Sequence, residues 1–386
     1  MLVLVSIGFT NGLTVITAQR FGARDYRGLR RSVTTATLLS SAFTLSAGAV
    51  MLASLDVLFK VMNVPQEIAQ DAKSFISIIS YGVIMIVFFN LLSGFMRALG
   101  DSKTPLYFLV TSAFLNIFGD LFFVVVLRWG VAGSAIATVC SEGLCCLLCG
   151  IYIKKKIPLL CLGKKWCVFD KSLLGKTVSY GSTSAMQQVC LQLGKLIIQS
   201  VVNTQGVAVM AAFTAVNRVD DFAYTPQQNI GHAMTTFLAQ NKGAGHKERM
   251  KKGFQTGLLI ELVYSIGLFA VIWGLAPQIM TLFAEDGDAQ VVSLGISYLH
   301  LISWMYILPG MTNGIQGFFR GIGDLKVTLY STFMNMLGRV VAVFVMIRLL
   351  HMDFESLAWA NMIGWIVMLL FEVPLLVKSI RGGECG

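Results

Sequence analysis

The chain has 386 residues, of which 55 % are hydrophobic and 13 % charged, with a mean hydropathy of +0.72 and a formal charge of +10. A soluble domain carries roughly 25 % charged residues, so a water-soluble enzyme or binding module is excluded and an all-α polytopic membrane protein is expected. The positive charge does not mark a nucleic-acid surface, because it follows the loops instead of gathering on one face.

About eleven segments are long and apolar enough to cross roughly 30 Å of hydrocarbon. In chain order the predicted spans are 1–18, 33–59, 74–95, 105–127, 131–153, 177–202, 207–240, 254–275, 291–319, 327–347 and 357–377. Basic residues concentrate in segments 20–31, 97–103, 154–176, 242–252, 320–326 and 378–381, whereas the alternate loops hold only Lys60, Lys73, Arg128 and Arg348. The positive-inside rule places the first set, and the C-terminus with it, in the cytoplasm. The acidic Glu285, Asp286 and Asp288, and the pair Asp353 and Glu355, then fall outside. The expected organisation is an N-terminal lobe 1–153, a cytoplasmic linker 154–176 and a C-terminal lobe 177–386.

Asp120 sits in a membrane-length apolar run, where a charge is costly unless it is paired or hydrated. Asn116 lies four residues earlier and shares its helix face. Across the break at 128–130, Thr138 reaches a similar depth on the next span, so it is expected to face Asp120, with Asn116 a turn deeper. Three oxygen-bearing side chains would then converge on a proton or a small cation such as Na+. Glu142, one turn beyond Thr138, is expected either to join this cluster or only to pack against it.

Two motifs recur. Arg97-Ala-Leu-Gly-Asp101-Ser-Lys103 returns as Arg320-Gly-Ile-Gly-Asp324-Leu-Lys326, and Ala18-Gln19 with Gly22-Ala23 returns as Ala239-Gln240 with Gly243-Ala244. Nearly equal offsets indicate a duplicated half. The repeat sets Arg339 against Asn116 and Val343 against Asp120, and a guanidinium repels a small cation, so the C-terminal lobe is expected to lack an equivalent site.

In these stretches the chain resembles the MATE (multidrug and toxic compound extrusion) family, whose members carry Ala-Gln-x-x-Gly-Ala, Arg-x-x-Gly-Asp-x-x-x-Pro, Asn-x-x-x-Asp and Gly-x-x-Gly-x-Ala-x-Ala-Thr in this order. They stand here at 18–23, 97–105, 116–120 and 130–138. The resemblance implies two pseudo-symmetric six-helix lobes and a cation-coupled antiporter that exports amphipathic organic cations across a bacterial plasma membrane. No cofactor beyond the coupling ion, Na+ or H+, is implied, and the chain is expected to act as a monomer. The family's site pairs positions matching Asp120 with an acid on helix 1. The first half has no counterpart of 177–221, so the chain reads as shortened at its N-terminus, with 11 of 12 helices present. A glutamate that some branches place in helix 7 is Leu191 here, which favours coupling through the N-terminal lobe.

The span 177–202 carries Ser184, Gln188, Gln192, Lys195 and Gln199 on one face, and a polar face in lipid must look at protein or water. Together with Asp220 and Asp221 these residues are expected to line a central substrate cavity, and Arg218 is a candidate partner for Asp221. Glu261 and Glu372 stand isolated in apolar sequence and receive no role. Gly310, Gly314, Gly317 and Gly321 after Pro309 suit close helix packing. Two other functions compete with export. A lipid-carrier flippase would group Lys195, Arg218 and Arg339 in a central groove, and a thiol oxidoreductase would use Cys146 and Cys149, which small-residue packing in a membrane helix explains better.

Overall fold

The computed structural model describes residues 2–61, 66–160, 171–283, 289–350 and 352–382. Among these residues there are twelve α-helices and no strand. They form two compact units, Met1–Met186 and Gln187–Gly386, so that the boundary falls within one helix. Nine helical spans among the described residues are long and apolar enough to cross a membrane.

The first unit contains α1 (Leu2–Gly22), α2 (Tyr26–Val61), α3 (Gln66–Ala98), α4 (Lys103–Asp120), α5 (Gly130–Lys156) and the opening of α6 (Lys171–Val202). Lipid supplies no hydrophobic drive between helices, so close approach at small residues holds them together. Gly12 of α1 lies against the Tyr180 carbonyl of α6, Gly82 of α3 against Val139 of α5, and Gly119 of α4 against Ala137 of α5. Phe9, Leu13, Phe95, Met96, Cys145 and Cys149 are among the side chains of the core.

The second unit continues with α7 (Val207–Gly243), α8 (Lys247–Phe283), α9 (Ala289–Ser303), α10 (Ile307–Ile322), α11 (Leu325–Val343) and α12 (Ser356–Arg381). The predicted span 291–319 is not one helix. A single 3₁₀ turn, Trp304–Tyr306, separates α9 from α10, just ahead of Pro309, which has no N–H to continue the ladder. Gly231 of α7 meets the Asn313 carbonyl of α10, and Gly317 and Gly321 of α10 close on α7 in return.

The helices run further than hydropathy suggested, because polar ends extend beyond the hydrocarbon. Arg27, Arg30 and Arg31 belong to the first turns of α2, and Lys247, Arg249, Lys251 and Lys252 to those of α8. The loops between become tight turns, and the duplication repeats them bond for bond. Ala23 N–H donates to the Gln19 carbonyl and Asp25 N–H to that of Arg20; Ala244 and His246 do the same to Gln240 and Asn241. Arg24 has φ 55° where its counterpart Gly245 has φ 73°. Likewise Gly100 (φ 95°) and Gly323 (φ 87°) end α3 and α10 in left-handed conformations, which glycine adopts without steric cost.

The repeat also includes an irregularity. After Asp120, α4 widens into a six-residue π-helical segment, Leu121–Val126, and after Val343, α11 widens into Phe344–Leu349. Both segments close identically, with Leu127 N–H on the Phe122 carbonyl and Leu350 N–H on that of Val345. Such bulges are commonly found at functional sites. Of the predicted linker, Lys154, Lys155 and Lys156 end α5 and Pro158–Leu160 forms a 3₁₀ turn. Lys164 and Lys165, the acids Glu285, Asp286 and Asp288, and the C-terminal Gly386 lie outside the described residues.

Candidate functional site

The seam between α4 and α5 is polar at successive turns. Asn116 Nδ2 donates to Thr138 Oγ1 at 3.3 Å, and Thr138 in turn donates to the Ser134 carbonyl at 3.0 Å. One turn along, the Glu142 carboxyl is set beside the buried Ser112 hydroxyl. At the other end Asp120 closes α4. Oδ1 of Asp120 and Oε2 of Glu142 are both buried without a hydrogen-bond donor.

Thus the structure brings Asn116, Thr138 and Glu142 along one seam, with Asp120 one turn further on α4, and pairs Thr138 with Asn116 instead of Asp120. The physical reason lies in the reversal. Trp129 N–H still bonds the Phe123 carbonyl, and Arg128 turns the chain with φ 57°, so the hairpin is centred short of Trp129 and α5 slides along α4. The seam's oxygens fit a proton or a small monovalent cation: two carboxylate oxygens have no donor, and the Asn116 amide keeps its own oxygen free while its nitrogen is engaged. No group of three or more His, Cys, Asp or Glu side chains suited to a metal occurs among the described residues.

The second unit differs. Asp220, expected along a cavity, is instead buried, with 4 % exposure. Its Oδ1 accepts from the Tyr306 hydroxyl at 2.5 Å and its Oδ2 from Tyr298 at 3.3 Å, while Asn361 donates to the Tyr298 oxygen at 2.9 Å. Arg339 lies within electrostatic reach of the same carboxylate. The position matching Asn116 is thus taken by a built-in cation, Arg339. Asp221 meets Lys195 of α6 at 3.6 Å and not Arg218. Lys195 and Arg339 each have an acidic neighbour.

On α6, Ser184, Gln188, Gln192 and Gln199 are partly exposed and Lys195 is exposed, and Gln199 Nε2 donates to Asn203 Oδ1 at 2.8 Å. Their neighbour Gln187, which periodicity does not single out, is buried and donates to Thr332 at 2.8 Å and Gln316 at 3.2 Å. Arg320 donates to the same Gln316 oxygen at 2.6 Å, with the fully buried Glu372 close by. Tyr298, Tyr306 and Asn361 gave no sequence signal, since each stands singly in an apolar run. Cys146 and Cys149 are free thiols on α5.

A family model described as MatE matches residues 1–122 and 184–345. The probable multidrug resistance protein YpnP of Bacillus subtilis is 28 % identical over 322 residues, covering 83 % of this chain and 71 % of its own length. The probable multidrug resistance protein NorM of Thermotoga maritima is 23 % identical over 393 residues, covering 99 % and 82 %. Among solved structures, a MOP superfamily transporter from Pyrococcus furiosus superposes with a TM-score of 0.92 at 22 % identity, over 98 % of this chain and 86 % of that one. A multidrug resistance MATE family transporter in an outward-facing conformation gives a TM-score of 0.92 at 22 % identity, over 99 % and 85 %. The fold is shared with both.

Proposed function

The chain belongs to the MATE family of transporters, and we propose that it exports amphipathic organic cations in exchange for a small cation, Na+ or H+, with Asp120 as the coupling carboxylate. The observation behind this reading is the buried, donorless Oδ1 of Asp120 at the end of the seam where Asn116 and Thr138 already meet. A carboxylate in hydrocarbon is tolerated only when it is neutralised, so this oxygen takes a proton or a cation, or moves toward water. The π-helical segment that begins at Leu121 lets the end of α4 re-form without breaking the helix. Coupling requires that the cation bind one conformation more tightly than the other, and the same difference then biases drug binding in the opposite direction.

The names of the relatives, probable multidrug resistance proteins, support drug export. In this reading the face of α6 formed by Gln188, Gln192, Lys195 and Gln199, with Asp221, provides adaptable polar contacts to a largely apolar drug. The chain works singly in a bacterial plasma membrane, with its basic turns at 20–31 and 242–252 in the cytoplasm.

The test is gradient-driven efflux in proteoliposomes. Asp120→Asn keeps the shape and removes the charge, so efflux should fall roughly 10- to 100-fold, with expression and drug binding retained. Asn116→Ala should weaken the same step less, because an amide supplies a dipole and no charge. Val343→Ala, at the matching position of the second unit, should leave it unchanged. Wild-type efflux by Asp120→Asn would remove the assignment.

A further inference from the structure

Glu261 of α8 is 1 % exposed, and both its carboxylate oxygens lack a hydrogen-bond donor. It is not isolated in space. Gln227 of α7, fully buried, donates from Nε2 to Ser265 Oγ at 3.1 Å and to the Tyr306 carbonyl at 2.9 Å, which leaves its own Oε1 buried with no donor. The three side chains converge on Gly310 of α10: a Cβ there would lie 2.9 Å from Ser265 Oγ, 3.2 Å from Gln227 Nε2 and 3.4 Å from Glu261 Oε2. Glycine at this position therefore leaves an atom-sized space ringed by polar atoms, and the 3₁₀ turn ahead of Pro309 presents the Tyr306 carbonyl to it.

The hydrogen-bond inventory of the cluster is unbalanced in one direction. Ser265 spends its proton on the Glu261 carbonyl, at 2.7 Å, and both Gln227 amide hydrogens are used. Three buried acceptor oxygens, two of Glu261 and one of Gln227, are left without a donor. Among the described residues no basic side chain is paired with the Glu261 carboxylate. From α8 itself Tyr264 faces the carboxylate, and its hydroxyl is committed to the Ala223 carbonyl at 3.1 Å. On α7, Arg218, Asp220 and Asp221 lie about two turns before Gln227 and His232 about one turn beyond it. On α9, His300 stacks on Trp273, with ring centroids 4.6 Å apart, about three turns along α8 from Glu261. Arg320 lies near the far end of α10 and bonds Gln316. A cation in the Gly310 space would face the Gln227 amide nitrogen, a donor, and so fits less well than a proton on the carboxyl.

We propose that Glu261, framed by Gln227, Ser265 and Gly310, is a proton-binding site of the second unit, separate from Asp120. The proton comes from water and forms an O–H bond to one Glu261 oxygen. It returns to water when that bond breaks, and nothing is oxidised or reduced. The protonated carboxyl provides the donor that the cluster lacks, with Gln227 Oε1 as the acceptor left open. Ionisation requires water to enter between α7, α8 and α10, so uptake of the proton is tied to the closing of these helices beside the Pro226 and Pro309 positions.

Infrared difference spectroscopy of the full chain in lipid tests this without transport. The carbonyl stretch of a buried protonated carboxyl should appear and titrate with pH, persist in Asp120→Asn, and vanish in Glu261→Gln. Glu261→Asp should shift the band, and Gly310→Ala, which intrudes on all three polar atoms, should shift it without deleting it. A spectrum unchanged in Glu261→Gln overturns the site. A band constant over the whole pH range in which the protein stays folded overturns the exchange. Loss of the band on adding Na+ at constant pH overturns the proton in favour of the metal ion. Because Asp120→Asn should lower efflux and leave this band, failure of the coupling assignment and failure of this one are distinguishable.

Discussion

The Tyr306 hydroxyl donates to Oδ1 of Asp220 at 2.5 Å across 86 residues of chain, and this contact joins α7 to the turn between α9 and α10. Hydrogen bonds to charged groups contribute about 1.5–3 kcal/mol each. Tyr306→Phe should therefore lower the thermal midpoint in detergent while leaving drug binding in place. Asp220→Ala should lower it further, since it leaves two tyrosine hydroxyls without their acceptor. An Asp220→Ala protein that melts with the wild type would make the cluster incidental to stability.

Within the first unit, a Cβ on Gly12 would sit 2.3 Å from the Tyr180 carbonyl oxygen and 2.8 Å from Ser184 Oγ. Gly12→Ala should force α1 from α6 at a cost on the order of 1–3 kcal/mol, read as reduced yield and an earlier melt. Gly150, in the interior of α5, has nothing within 4 Å of its Cβ position. Gly150→Ala is the control and should be neutral or stabilise by about 0.5–1 kcal/mol.

The turn between α1 and α2 should respond to acid. Asp25 accepts from the Gly28 N–H at 2.8 Å and pairs with Arg20. The Gly28 bond first, then the Arg20 guanidinium, holds its carboxyl below the usual value of 3.8 against the opposing effect of partial burial. The folded pKa is depressed, so the stabilisation is present in full above about pH 4 and is lost as pH falls through the folded value. Asp25→Asn should remove this acid dependence and change little at neutral pH, which thermal melts across pH would show. The side chain is 37 % exposed, so the effect is small.

Orientation can be read with cysteines introduced into a protein stripped of its own. Asp353→Cys, between α11 and α12, should react with a membrane-impermeant maleimide added to intact cells. Lys378→Cys, in the last turn of α12, should react only after the cells are opened. The reverse pattern would invert the topology inferred from the basic turns.

Much of this protein could be read along the chain. The spans, the duplicated half and the turns at Gly22–Asp25 and Gly243–His246 depend on hydropathy and on hydrogen bonds between residues three to five apart, which neighbouring residues fix by themselves. Asp120 and Asn116 were recognisable for the same reason: a carboxylate and an amide at helical spacing stand out in an apolar run. Glu261 was equally visible, but its partners were not, because Gln227, Ser265 and Gly310 belong to three helices.

Only the tertiary structure decided who meets whom. The π-helical segment after Asp120 and the left-handed Arg128 set the register of α5 on α4, and so gave Thr138 to Asn116. Packing of α7 against α9 and α10 buried Asp220 under two tyrosines 78 and 86 residues away, while Asp221, one residue on and rotated about 100° around the helix, stayed exposed and reached Lys195. Sequence determines which face of a helix is polar, because the period is local. Which neighbour that face meets depends on how helices slide and rotate against one another, a choice made by the close contacts of glycines such as Gly12, Gly119 and Gly310, whose missing side chains carry no label of their partners.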